Sequence, residues 1–232
     1  MKNFLLSAAA LLLAATSCQK QETAAVPLQA IGIADNSCPC VACDQLRTQT
    51  QGGWGTVAKG GNPGTYRDAR FASVFPAGLV VGIVGEPNTK YIRFTTSQGI
   101  QKFLPQGSTP APLPFSGEDA QIWDKKISVL VGQQVALKLN IYFDLADPNF
   151  APSAINLAFT RVNGGLFDGE RVIDMMTRAD RALGGDPNLS FTNIYGATKP
   201  FTFSQLNDAL SSINENFVDG TTSKGAVLCP TI

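Results

Sequence analysis

The apolar positions of this chain follow three patterns. Residues 4–15 are a run of apolar residues, interrupted only by Ser7, behind Lys2. Residues 19–36 are polar and Ala-rich, with no periodicity that could build a core face. From residue 46 onward, short segments with helical or strand spacing alternate with Gly- and Pro-rich breaks.

In the first of these segments, Gln, Thr and Gly dominate 46–64, which predicts an ordered loop or irregular strand. Thr65 then opens a Thr-x-x-Asp helix start with Asp68. The helix carries Ala69, Phe71, Val74 and Phe75, and Pro76 stops it. Residues 79–84 are a β-branched run between Gly78 and Gly85, expected to be a buried strand, with 91–94 as its hairpin partner across Glu86, Pro87 and Asn88. Thr95 to Gln98 has the spacing of a capping box, placing Ile100, Phe103 and Leu104 inward until Pro105. Pro105, Pro110, Pro112 and Pro114 then predict an extended loop.

Residues 127–147 fit two templates. Val135, Leu137, Leu139, Ile141 and Phe143 alternate as in a strand, whereas Leu130, Leu137, Ile141 and Leu145 fit a helical stripe. The length of the run favours a long buried helix, with a strand over 135–143 as the rival. Residues 155–162 predict a short strand closed by Asn163, Gly164 and Gly165. Asp168 is expected to cap a helix bearing Val172, Met175, Met176, Ala179 and Leu183 that stops at Gly184. Thr202 and Gln205 form a capping box, Phe201 and Leu206 a hydrophobic staple, and Leu206, Leu210, Ile213 and Phe217 a stripe ending before Gly220. The fold class expected is α+β: a single compact domain with more helix than strand and a small antiparallel sheet.

The amino-terminal run changes the picture from fold to address. Lys2, the apolar residues 4–15, the small residues Ala15, Thr16 and Ser17, and then Cys18 follow the order of a bacterial lipoprotein signal. The run is short for a span that needs roughly 20 apolar residues. The organisation expected is therefore a signal peptide over 1–17, a flexible tether over 18–42 and a globular domain over 43–232. No aspartate follows Cys18 directly, so nothing there signals retention at an inner membrane. The localisation expected is the cell envelope, as an outer-membrane lipoprotein that could face outward. The membrane is then a partner through acyl chains on Cys18.

Lys+Arg and Asp+Glu number 18 each, so the formal net charge is zero. That gives no basic footprint for nucleic acid and no polybasic membrane patch. The chain has no histidine, which excludes Ser-His-Asp and Cys-His catalysis and imidazole-based catalytic zinc. Carboxylate-pair hydrolysis, Ser-Lys chemistry and calcium sites remain. The Gly-rich stretches lack the Lys-Ser/Thr ending of a phosphate loop. No cofactor and no metal site is expected.

Besides Cys18 there are Cys38, Cys40, Cys43 and Cys229. In an exported chain an even set predicts disulfides rather than a Cys-x-Cys-x-x-Cys metal or redox site. A long Cys43–Cys229 bridge is favoured. Cys38 and Cys40 would then pair or stay reduced, and a bridge across one residue is strained. The rival is Cys40–Cys43 with Cys38–Cys229. Trp54, set among glycines, could stack on a sugar or a partner; the plainer reading is a ring plugging the core edge. Of the neighbouring carboxylates (Asp144/Asp147, Asp168/Glu170, Glu215/Asp219), the last pair would share one face of the final helix and could hold calcium with carbonyls near Gly220. A solvated helix face is the plainer reading.

Arg47-Thr48-Gln49-Thr50-Gln51-Gly52-Gly53-Trp54-Gly55, with Gly61-Asn62-Pro63-Gly64-Thr65-Tyr66, resembles a domain recurring in secreted and surface proteins of environmental bacteria. The late Leu206-Asn207 and Ser212-Ile213-Asn214-Glu215-Asn216-Phe217, followed by a cysteine near the domain end, is similar to the same family. The resemblance implies an exported surface domain and carries over no catalytic or binding residue. The function expected is thus a lipid-anchored envelope protein with a non-enzymatic binding or structural role toward an extracellular glycan or protein. The alternatives are a carboxylate-dependent hydrolase and a calcium-stabilised adhesion module.

Overall fold

The computed structural model describes residue 43, residues 45–193 and residues 196–229. Cys18, Cys38, Cys40 and the segments expected to be a signal peptide and a tether lie outside the described residues.

The centre of the fold is the segment with two sequence readings. It is a helix, α4 (Val129–Ala146), and residues 130–141 are buried all round. A helix covered on every side needs apolar side chains at every angle, so strand-like and helix-like periodicities coexist in one run. The other helices are α1 (Gln51–Trp54), α2 (Pro63–Val74), α3 (Ser97–Phe103), α5 (Val172–Gly184) and α6 (Phe203–Asn214). α6 makes the most extensive packing against α4; α1, α2, α5 and the first strand cover its other sides.

The strands are short. β1 (Leu79–Gly82) pairs antiparallel with β2 (Tyr91–Phe94), with Leu79 opposite Phe94 and Gly82 opposite Tyr91. Leu79, Val81, Ile92 and Phe94 point into the core. β3 (Gly117–Glu118) adds to β2 in parallel. Two further ribbons pair β4 (Arg161–Val162) with β7 (Val227–Leu228), and β5 (Ser190–Thr192) with β6 (Thr198–Pro200), both antiparallel. Helix exceeds strand and every sheet is small, as an α+β domain requires.

Several boundaries move for local reasons. α2 starts at Pro63, not after Thr65: the Asn62 side chain accepts the Thr65 N–H at 2.9 Å, and proline suits a first helical position because it has no N–H to satisfy. α3 is capped by Thr96 rather than Thr95, whose backbone N–H donates to Asp119 at 2.9 Å. The irregular stretch before Trp54 closes into α1, with Thr50 Oγ1 accepting the Gly53 N–H at 3.1 Å. The strand expected over 155–162 shrinks to β4, because Asp144 takes the Leu157 N–H and residues Leu157–Phe159 form a 3₁₀ turn. Asp168 does not cap α5. It accepts the Gly164 N–H at 2.6 Å within a run of turns, and the helix begins only after the extended Arg171. α5 ends on Gly185, whose φ of 100° is left-handed and free of strain only for glycine. At α6 the capping box of Thr202 with Gln205 is present, and Phe201 and Leu206 are both buried as a staple requires. The helix stops at Asn214, so Phe217 lies beyond it, yet is buried.

Cys43 and Cys229 form the long disulfide, with Cα atoms 6.1 Å apart. It ties the start of the described domain to its end.

Candidate functional site

The two stretches that carry the sequence resemblance meet inside the protein. Asn140, on the buried face of α4, joins them. Its Oδ1 accepts the Gln49 N–H at 2.8 Å and the Trp54 Nε1–H at 2.9 Å. Its Nδ2 donates to the Gln49 carbonyl at 3.0 Å and to Asn214 Oδ1 at 2.9 Å. Asn214 Nδ2 donates in turn to the Gln133 carbonyl and side chain, both at 2.9 Å. Thr48 and Phe217 complete the seam by exchanging hydrogen bonds at 3.0 Å, Phe217 N–H to Thr48 Oγ1 and Thr48 N–H to the Phe217 carbonyl. Polar groups in an apolar interior must be paired, and Asn140 spends all four of its bonds. The distinctive wording of these stretches therefore encodes a buried polar seam.

This rules out Trp54 as the possible ligand contact and agrees with the plainer reading of a ring in the core. Its side chain is 0% exposed, packs on Phe143 and Phe150 and is fixed by Asn140, so no ring face is left for a sugar. Arg67 is likewise interior, bound to Asp68 and to the Trp54 carbonyl.

The carboxylates separate by role. Glu215 and Asp219 do not share a helix face. Glu215 accepts from Ser211 at 3.0 Å, while Asp219, in a turn with φ of 56°, accepts from Gln49 at 2.6 Å. The helix ends at Asn214, so the two carboxylates are not aligned on it as the alternative calcium reading needs. Among the described residues no group of three or more His, Cys, Asp or Glu side chains could hold a metal ion. Asp147 binds the Tyr66 hydroxyl at 2.8 Å and Arg70 at 3.2 Å. The backbone N–H of Asn149, with these two partners, holds its carboxyl below the usual range, against a smaller opposing effect of burial. The buried Glu170 is clasped by Arg178 at 2.7 Å; burial pushes its carboxyl up and the guanidinium opposes this. Asp144 is pushed up to about 6 by burial, against the Leu157 N–H and Asn156, and its Oδ1 has no hydrogen-bond partner.

A cleft of about 550 Å³ lies between the loop 163–167, the outer face of α6 and residues 224–226. That size is in the range of small-molecule and peptide sites. Asn163 fixes the geometry: its side chain donates to the Gly225 carbonyl at 2.7 Å and its N–H to the Ala226 carbonyl at 2.9 Å, tying two walls together. Gln205, Asp208, Ser212 and Glu215 line the α6 wall, because steps of three and four residues share a helix face. Lys224 stands on the rim and Leu166 and Phe167 beneath. Phe167 lines the cleft and is itself almost fully buried. The sequence reading did not single out Asn163, Asp208 or Lys224 as a group. They lie far apart in the chain, and only the β4–β7 pairing brings them together.

No family model, no curated protein and no solved structure matches this chain. Among the described residues no helix is long and apolar enough to cross a membrane.

Proposed function

We propose that this chain is a cell-envelope lipoprotein held at an outer membrane by acyl groups on Cys18, with a non-enzymatic binding role for its folded domain. The observation that carries the reading is the order of Lys2, the apolar run 4–15, the small residues and Cys18. The Cys43–Cys229 bridge agrees with it, since such bridges persist outside the reducing cytosol. An extracellular peptide or glycan would bind by polar contacts in the cleft between 163–167 and α6.

Binding is favoured over hydrolysis by geometry. A glycosidase needs two carboxyl groups flanking the scissile bond, one of them buried enough to stay protonated. Asp208 and Glu215 stand seven residues apart on one wall, and both are exposed. The carboxyl groups that burial does push up, on Asp144, Glu170 and Asp180, are engaged in structural bonds.

Mass spectrometry of membrane fractions from cells making the full chain tests the anchor. The expected result is an acylated amino-terminal peptide beginning at Cys18, with Cys18→Ala leaving the membrane fraction. An unmodified, soluble mature protein, or a Cys18→Ala variant that localises as the parent does, would overturn the reading.

A further inference from the structure

A second concavity, of about 290 Å³, lies between α4 and the segment 74–80. Phe75, Ala77, Leu79 and Val80 are among its lining residues, and Lys138 and Tyr142 close it from α4. Lys138 is a charged residue only 8% exposed. Its ammonium pairs with Asp180 of α5 at 2.5 Å. Asp180 also accepts the Gly82 N–H and a Gln134 Nε2–H, each at 3.1 Å. Lys138 and Tyr142 are spaced by four along α4, and both line the groove.

Taking a lysine and an aspartate out of water is costly, and replacing such a pair by apolar residues is often neutral or stabilising. An ammonium carries three N–H bonds, and among the described residues Asp180 takes one of them. The Tyr142 hydroxyl, 36% exposed as a residue, makes no hydrogen bond among the described residues. The groove therefore offers unspent donors from two side chains within apolar walls. Asp180 already receives three donors, and Lys138 balances its charge.

We propose that this groove is a binding site for a small molecule with an apolar body and a neutral carbonyl acceptor, received by Lys138 Nζ and the Tyr142 hydroxyl. A carbonyl is favoured over a carboxylate because the ammonium already has its counter-ion, and a second anion would lie close to Asp180. The apolar body rests on Phe75 and Leu79. The site stands on geometry separate from the cleft and from the anchor.

Titration of the full chain with benzamide, followed by amide chemical shifts, tests it. The expected result is saturable shifts centred on Lys138, Tyr142 and residues 74–80. Toluene, of similar shape without an acceptor, should bind about tenfold more weakly, the worth of one hydrogen bond to a charged group. Ala77→Trp, at an exposed lining position, should fill the groove and abolish both titrations while leaving the ion pair intact. Lys138→Met combined with Asp180→Asn removes both charges together and should cut the preference for benzamide over toluene to what the Tyr142 hydroxyl alone supplies. Absence of saturable shifts, shifts centred elsewhere, equal binding of toluene, or benzoate binding as tightly as benzamide would each overturn the proposal.

Discussion

Two buried side chains hold sharp consequences at the scale of single residues. Asp144 is 2% exposed, and burial raises its carboxyl to about 6 from 3.8. The folded state thus binds the proton more tightly than the unfolded chain. The stability this group contributes is fully present below about pH 4 and is lost as pH rises to about 6. The shift corresponds to a loss of order 3 kcal/mol across that window. Asp144→Asn should remove this pH dependence, because a neutral amide keeps an acceptor for the Leu157 N–H without a buried charge. Urea unfolding at pH 4, 5, 6 and 7 measures it, and an unchanged slope in the variant would count against this account. Asn140→Ala should be much more damaging. It strands the Trp54 indole N–H and the Gln49 backbone groups in the interior, at roughly 1–3 kcal/mol for each unpaired group. A melting temperature within a degree of the parent would show that the seam adds little.

At the scale of elements, the glycines of α1 separate by what surrounds them. A methyl group added to Gly55 would lie 2.7 Å from the Leu104 carbonyl oxygen, a backbone atom that cannot step aside. One added to Gly52 meets nothing closer than 3.7 Å, at an exposed helical position. Gly55→Ala should therefore destabilise by about 1–3 kcal/mol, as overpacking does. Gly52→Ala should stabilise by about 0.5–1 kcal/mol through a less flexible unfolded chain. Thermal unfolding of the pair distinguishes a packing requirement from a general need for glycine in the segment. The legibility of elements follows the same logic. The capping box and staple of α6 were readable because every bond lies within five residues. The start of α2 was one signal away, in Asn62 and Pro63. The cap assigned to Asp168 failed because that side chain closes the 164–168 loop instead, a choice fixed by β4 pairing with β7 and with Arg171.

For the molecule as a whole, the Cys43–Cys229 bridge spans 186 residues of sequence. Closing so long a loop removes unfolded-chain entropy worth about 5 kcal/mol in the chain-entropy model. Cys43→Ser with Cys229→Ser should lower stability by up to that amount without changing the fold. Equilibrium denaturation of the oxidised parent against the double variant checks it, and non-reducing peptide mapping should recover the two cysteines in one peptide pair. Stability unaffected by the loss, or either cysteine found free in the parent, would contradict the role given to the bridge. The same bridge lies close in sequence to the Thr48–Phe217 seam, so covalent and hydrogen-bonded closure hold the same two ends of the chain.

What the sequence by itself determined were features written in neighbouring residues. These are the helical and strand periods, the capping box, the hairpin and the order of charge, apolar run and cysteine at the start. Each depends on contacts a few positions apart, so local spacing suffices to specify it. The tertiary structure alone decided that the 127–147 run is a helix, because burial on all sides turns on what packs around it. It alone showed that the Trp54 ring, read from sequence as the plug of a core edge, belongs to a buried polar seam, through an asparagine 86 positions away. It alone assembled the α6 cleft and the Lys138 groove, whose walls come from distant segments. A lysine in an apolar helix reads as an interruption until its counter-ion on another helix is known.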